Sequence, residues 1–217
     1  MKYLKSLLRL LLMFTLGLGV GSCNEKHMNE NHINNNKSAA EFLGHPGYKA
    51  ISYGGYRTLT REDQPSIAQI KEDLKILSAL GVKVIRTYNL QLDQAPNILK
   101  AIRALKSEEA GFEMYVMLGL WIECENARLS PNHGAEDTAV NSAEIERAIT
   151  YANQYPDIVK IIAVGNEAMV HWQANYFVLP SVILKWVNHL QKLKWEDKLP
   201  SELWITSSDN FASWGGG

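Results

Sequence analysis

The stretch Ile158-Val-Lys-Ile-Ile-Ala-Val164 is short, β-branched and almost continuously apolar, broken only by Lys160 near its start. That is the pattern of a strand buried on both faces of a parallel sheet. Parallel strands need long crossover connections, usually helices, so the rest of the chain has to supply them. It does. From residue 50 onward, apolar or β-branched runs alternate with amphipathic stretches, the signature of repeated βα units. The sequence predicts five strands, over residues 50–56, 83–88, 112–122, 158–164 and 203–207. Between them, Ile67, Ile70, Leu74, Leu77 and Leu80 mark one helical face, closed by Gly81 where a left-handed cap is favoured. Similar spacing recurs at Ile98, Ile102 and Leu105, at Ile145, Ala148, Ile149 and Ala152, and at Ile183, Trp186, Val187 and Leu190. Asn141 followed by Glu144 reads as a capping box, and Pro180 suits a first helical turn. Each unit takes roughly 30 to 45 residues and an eight-unit barrel about 250. Residues 45–217 are therefore expected to form an α/β fold, a (β/α)8 TIM barrel truncated after about five βα units.

The chain begins with a different kind of segment. Lys2, Lys5 and Arg9 precede an apolar run from Leu10 to Val20, which ends at Gly21-Ser22-Cys23. This reads as a signal peptide over residues 1–23, too short in its apolar part for a spanning helix of about 20 residues. The small residues before Cys23 resemble the lipobox of bacterial lipoproteins, which implies lipid attachment at Cys23 and a place in the bacterial cell envelope, leaflet unspecified. An ordinary secretory signal with a chance cysteine is the other reading. Residues 24–40 hold six Asn, two Glu and no aromatic residue, so a flexible polar tether is expected over residues 24–44. Without the three basic leader residues, 19 Lys and Arg face 23 Asp and Glu, a balance that suggests no nucleic-acid partner. Cys124 is the one cysteine besides Cys23, which leaves no disulfide framework for the mature chain.

Polar residues gather where the strands should end. The fourth strand runs through Gly165, which lets the backbone open, into Asn166 and Glu167. A Glu at the C-terminal end of a barrel strand is placed to act as an acid, or to cap a loop or pair with an Arg; that stretch alone admits either. Arg86 and Tyr88 lie two apart on the second strand and share a face. Arg86 is either a site residue paired with a catalytic carboxylate or a buried structural ion-pair partner. Tyr53, Trp121, Trp172 and Trp214 are candidates for stacking on a ligand ring, whereas Trp186 and Trp204 read as core. Glu123, Glu125 and Asp209 follow strand ends, as solvated loop charges or acceptors of sugar hydroxyls. His133 and His171 have no second ligand at metal spacing, so no metal or other cofactor is expected. No phosphate-binding glycine motif and no Ser-His-Asp pattern is present.

Five motifs fall in barrel order: Ile51-Ser-Tyr-Gly-Gly55, Val84-Ile-Arg-Thr-Tyr88, Met117-Leu-Gly-Leu-Trp121, Ala163-Val-Gly-Asn-Glu167 and Thr206-Ser-Ser-Asp-Asn210. Together they resemble glycoside hydrolase family 17, the β-1,3-glucanase family within a clan of retaining barrel glycosidases. The resemblance implies a glycosidase acting on β-linked glucan by double displacement, with Glu167 as general acid/base and Asn166 orienting substrate. Tyr53, Arg86, Tyr88, Trp121, Asp209, Asn210 and Trp214 are its expected substrate-binding residues, converging on one rim with Glu167. In that family the nucleophile is a Glu on the seventh strand, beyond the five strands expected here. Transglycosylation would use the same intermediate. A lipoprotein that binds glucan without turnover, or an inactive fragment, is the alternative.

Overall fold

The computed structural model describes residues 37–215. The leader, Cys23 and the first part of the expected tether lie outside the described residues. The tether expectation is corrected at its end, because α1 (Ala39–Phe42) is a helical turn whose Ala39 and Phe42 are buried. The Phe42 ring stacks on Tyr115 at 4.7 Å and 2°. An aromatic residue buried in this way does not belong to a solvated stalk.

The main sheet has five parallel strands: β1 (Lys49–Ser52), β2 (Val82–Arg86), β3 (Tyr115–Leu120), β6 (Val159–Asn166) and β7 (Trp204–Ser208), hydrogen-bonded in that order. Helices α2 (Ile67–Ala79), α3 (Gln94–Glu108), α4 (Thr138–Gln154) and α5 (Pro180–Trp195) connect them, and α6 (Phe211–Gly215) follows the last strand. A short antiparallel hairpin, β4 (Cys124–Glu125) and β5 (Asn132–Glu136), stands between β3 and α4. Among the described residues the strands lie in the order in which they occur along the chain.

Strand alternation sorts the side chains into two layers. Ile85, Val116, Leu118, Ile162 and Val164 face the helices and pack with Leu74, Ile102, Ala148 and Leu190. Val84, Tyr115 and Ile161 point the other way and are covered by Ala39 and Phe42. The expected mainly parallel α/β sheet is thus observed. Gly81 has φ +82°, as the cap after α2 requires.

Several local expectations are corrected. The first strand stops at Ser52, since Tyr53 turns into the core and Gly55 takes φ +71°. The hairpin was not legible. Helix α4 starts earlier than its expected capping box, with Asp137 as N-cap accepting the Val140 N–H at 3.0 Å. Asn141 and Glu144 lie inside the helix and are completely buried. Trp204, expected in the core, is 43% exposed on β7, the last of the described strands. Trp186 is buried as expected, its indole N–H donating to Glu136 at 2.7 Å.

Candidate active site

The exit of β6 is a tightly constrained turn. Gly165 has φ +83°, and a Cβ there would lie 3.0 Å from Ile183 Cδ1 and 3.1 Å from Ala168 Cβ. Glu167 then adopts φ +49°, a left-handed conformation that a Glu takes at a cost. Its N–H donates to the Ser208 carbonyl at 3.0 Å, and the next three residues, Ala168, Met169 and Val170, are buried. The Glu167 side chain, by contrast, is exposed. The turn therefore buries the backbone on either side while presenting one carboxylate to solvent.

Asn166, just before it, accepts a hydrogen bond from Arg86 Nη2 at 2.6 Å. This contact spans β2 to β6, with β3 between them. Arg86 also lies 5.5 Å from the Tyr88 ring and 3.4 Å from Ser52 Oγ. Its partner is an amide, which corrects the expectation of a carboxylate partner for Arg86. Its buried Nε has no hydrogen-bond partner among the described residues. The segment carrying Tyr88 runs tightly against β3, where Gly119 leaves it room. A Cβ on Gly119 would sit 2.1 Å from the Thr87 carbonyl oxygen, and the Gly119 N–H donates to Thr87 Oγ1 at 3.1 Å.

Trp121 is half-buried and already surrounded. Its indole N–H donates to Glu123 Oε2 at 2.7 Å, Arg128 lies 5.4 Å from its ring, and the Tyr176 ring is tilted against it at 4.7 Å. Arg128 is in turn ion-paired with Glu123 at 3.0 Å. Glu123 is thus buried and committed, which corrects its reading as a solvated loop charge. Glu125 accepts from Asn132 at 2.7 Å within the hairpin. Asp209 is engaged on both oxygens, by the N–H groups of Met169 at 2.8 Å and Asn210 at 2.9 Å. Asn210 accepts the Ala212 N–H at 3.1 Å. Both residues stand beside the Glu167 turn, as expected, but in this structure their side chains hold loops.

Tyr53 is corrected most clearly. It is only 9% exposed, and its hydroxyl donates to Asp73 Oδ2 at 2.6 Å, while Arg57 donates to both Asp73 oxygens at 2.9 and 2.8 Å. Burial and this hydrogen bond push its phenol well up. A ring held that way is not open to a sugar. Trp172 and Trp214 remain available, 65% and 60% exposed. Sequence reasoning missed Tyr176. Burial pushes its phenol up, and the charges of Glu167 and Asp209 push it further, which puts all three in one neighbourhood. No periodicity could have marked it, since it stands in a loop ten residues beyond Asn166.

His133 and His171 flank the Phe177 ring, at 3.7 and 5.0 Å between centroids. Among the described residues, no group of three His, Cys, Asp or Glu is placed to hold a metal. Cys124 is buried, and burial pushes its thiol up.

No protein-family model matches the chain, and no curated protein does. Among solved structures, it is similar to an endo-laminarinase from Formosa Hel1_33_131, with 59% identity and a TM-score of 0.81. The match covers 83% of this chain and 46% of the other, so the chain spans about half the length of that structure. A weaker similarity, at 15% identity and a TM-score of 0.46, is to CJP38, a β-1,3-glucanase and allergen of Cryptomeria japonica pollen. It covers 75% of this chain and 42% of that one.

Proposed function

We propose that this protein is a glycoside hydrolase acting on β-linked glucan, built on a (β/α)8 barrel of which the five strands described here are an arc. The observation that carries the reading is Glu167. An exposed carboxylate stands on a left-handed turn at the exit of a buried parallel strand, in a chain 59% identical to an endo-laminarinase over most of its length. The barrel arc is supported by the sequential strand order and by the helices sharing one face of the sheet.

A glycosidic oxygen leaves poorly until it is protonated, and Glu167 supplies that proton as general acid. In a retaining glycosidase a second carboxylate stands about 5–5.5 Å from the acid. Asn166, oriented by Arg86, presents its amide N–H2 toward the hydroxyl next to the reacting carbon. The second carboxylate attacks the anomeric carbon, and water, activated by the same Glu167 as base, resolves the intermediate with retention. A sugar hydroxyl in place of that water gives transglycosylation. Glu123, Glu125 and Asp209 are held by other contacts, and the resemblance to glycoside hydrolase family 17 implies an attacking Glu outside the residues described. The same engagement favours a second reading for residues 37–215 by themselves: they bind glucan without turning it over.

Reducing-end release from a panel of glucans tests the proposal. The protein carrying its attacking carboxylate should cleave a β-linked glucan and lose that activity in Glu167→Gln. With an activated leaving group, azide should rescue turnover, because a small anion attacks without a base. Robust hydrolysis by the 217-residue chain alone would assign the nucleophile to Glu123, Glu125 or Asp209. Full activity in Glu167→Gln would remove Glu167 from the mechanism. We place the protein in the bacterial cell envelope, lipid-anchored through Cys23. Cys23→Ala should leave the membrane fraction, and retention there would overturn the anchor.

A further inference from the structure

Helix α4 puts two completely buried polar side chains, Asn141 and Glu144, one turn apart on the same face. Glu144 Oε1 accepts two backbone hydrogen bonds, from Leu90 N–H at 2.6 Å and from Trp121 N–H at 3.0 Å. Leu90 follows Tyr88 beyond β2, and Trp121 is the first residue past β3. Glu144 Oε2 accepts from Arg147, at 2.7 Å to Nη2 and 3.2 Å to Nε. Asn141 Oδ1 accepts the Glu123 N–H at 3.0 Å, and its Nδ2 donates to the Glu123 carbonyl at 3.0 Å and to Glu136 at 3.2 Å. One helix face thus ties the exits of two adjacent strands to each other.

A carboxylate buried this completely is costly unless every lone pair is used, and replacing it with leucine, of similar bulk, would spare the desolvation. What leucine cannot do is hold two backbone N–H groups of different loops at one oxygen. We propose that Glu144 is a positioning residue: it fixes Tyr88 and Trp121 relative to one another at the rim that carries Glu167. The inference rests on the glucan reading for what that rim binds, but the pin itself is read without substrate.

The test uses Glu144→Gln, which keeps one acceptor oxygen for both N–H groups while half-exposed Arg147 turns to solvent, and Glu144→Leu, which keeps none. Amide hydrogen exchange at Leu90 and Trp121, and the Trp121 indole N–H resonance, report the pin. Laminari-oligosaccharide affinity reports its consequence. In Glu144→Leu both amides should lose protection, and affinity should fall roughly tenfold, the size expected when buried donors lose their acceptor. Glu144→Gln should restore most of both. Leu105→Ala, in the helix layer away from the rim, serves as a control that lowers stability and leaves affinity unchanged. Unchanged exchange in Glu144→Leu, or an affinity loss that Leu105→Ala matches at equal loss of stability, would overturn the proposal. If the unsubstituted protein binds no oligosaccharide while Glu144→Leu still releases both amides, the glucan reading fails and the pin stands.

Discussion

The two ends of the one parallel sheet are built on opposite principles. At the N-terminal end, Glu113 accepts from Lys83 at 2.6 Å and from the hydroxyls of Tyr48 and Tyr115 at 2.9 Å each, with Lys37 at 3.3 Å. Phe42 lies flat on Tyr115 beneath them. At the C-terminal end, Arg86 Nε and Ser207 Oγ are buried without partners among the described residues, and Glu167 holds a left-handed backbone with its side chain in solvent. The first end answers its charge with partners; the second satisfies Glu144, Glu123 and Asp209 but leaves these two atoms unanswered beside a strained turn. Departures from local consistency that cluster at one end of a fold mark the place where function outweighs stability. The contrast also separates Arg86 from Glu113: both are charges on the inner side of the sheet, but only Glu113 is answered by opposite charge.

The largest effect that could break this contrast is on catalysis. Glu167→Gln keeps the size and polarity of the side chain but cannot give up a proton, so hydrolysis should fall by about 10²- to 10⁴-fold. Thermal stability should stay within about 0.5 kcal/mol, because the side chain is exposed. A comparable loss of stability would mean that the turn is structural after all.

At the other end the signs reverse. Burial by itself would push the Glu113 carboxyl up, but the hydrogen bonds from Lys83, Tyr115 and Tyr48 outweigh it and hold the group at about 2. A carboxyl depressed in the folded state stabilises the protein fully above its unfolded pKa, here 4.5, and that contribution is lost as pH falls from there toward 2. Glu113→Leu should therefore cost roughly 3 kcal/mol at pH 7, as expected when one partner of a mostly buried ion pair is removed. The difference from the unsubstituted protein should shrink below pH 4.5, as denaturant titrations at several pH values would show. Glucan affinity should not change. A pH-independent difference would show that the ionised form is not what Glu113 contributes.

Gly119→Ala probes the passage between the two ends. Its new Cβ would meet backbone, the Thr87 carbonyl, which cannot rotate aside. Displacing that segment should cost about 1–3 kcal/mol, as overpacking does, and shift Tyr88 with it. Thermal melts together with oligosaccharide binding check this, and a neutral Gly119→Ala would show that the loop after β2 has slack.

What was legible in the sequence follows from the same division. Periodicity reports burial, so the strands and helices of the closed layers were readable from Ile, Val and Leu spacing, and Gly81 announced its cap. The strand-end positions of Glu167, Asn166 and Arg86 were readable because polar residues at the end of an apolar run break that pattern. Tyr53 misled because an aromatic residue at a strand end looks the same whether it faces solvent or turns into the core; Asp73, twenty residues later, decides it. Asn141 and Glu144 misled because a local capping signal cannot be told from two side chains reaching outside their own helix. Tyr176 and the Glu123–Arg128 pair depend on loop paths that no local rule specifies.

The smallest predicted effect is the most direct measure of strain. Glu167 and Asp197 have φ of +49° and +56°, and Asp197 follows α5 just where a helix favours a left-handed glycine. Glycine reaches that conformation without a Cβ penalty but loses more chain entropy on folding, so the two contributions largely offset. Asp197→Gly and Glu167→Gly should each be stabilising by about 0.5 kcal/mol, a shift readable in denaturant midpoints at unchanged slope. Only Glu167→Gly should abolish hydrolysis. If Glu167→Gly instead destabilises the protein while Asp197→Gly stabilises it, the Glu167 side chain contributes to the fold. The left-handed turn would then be held by that contribution rather than kept for the chemistry it presents.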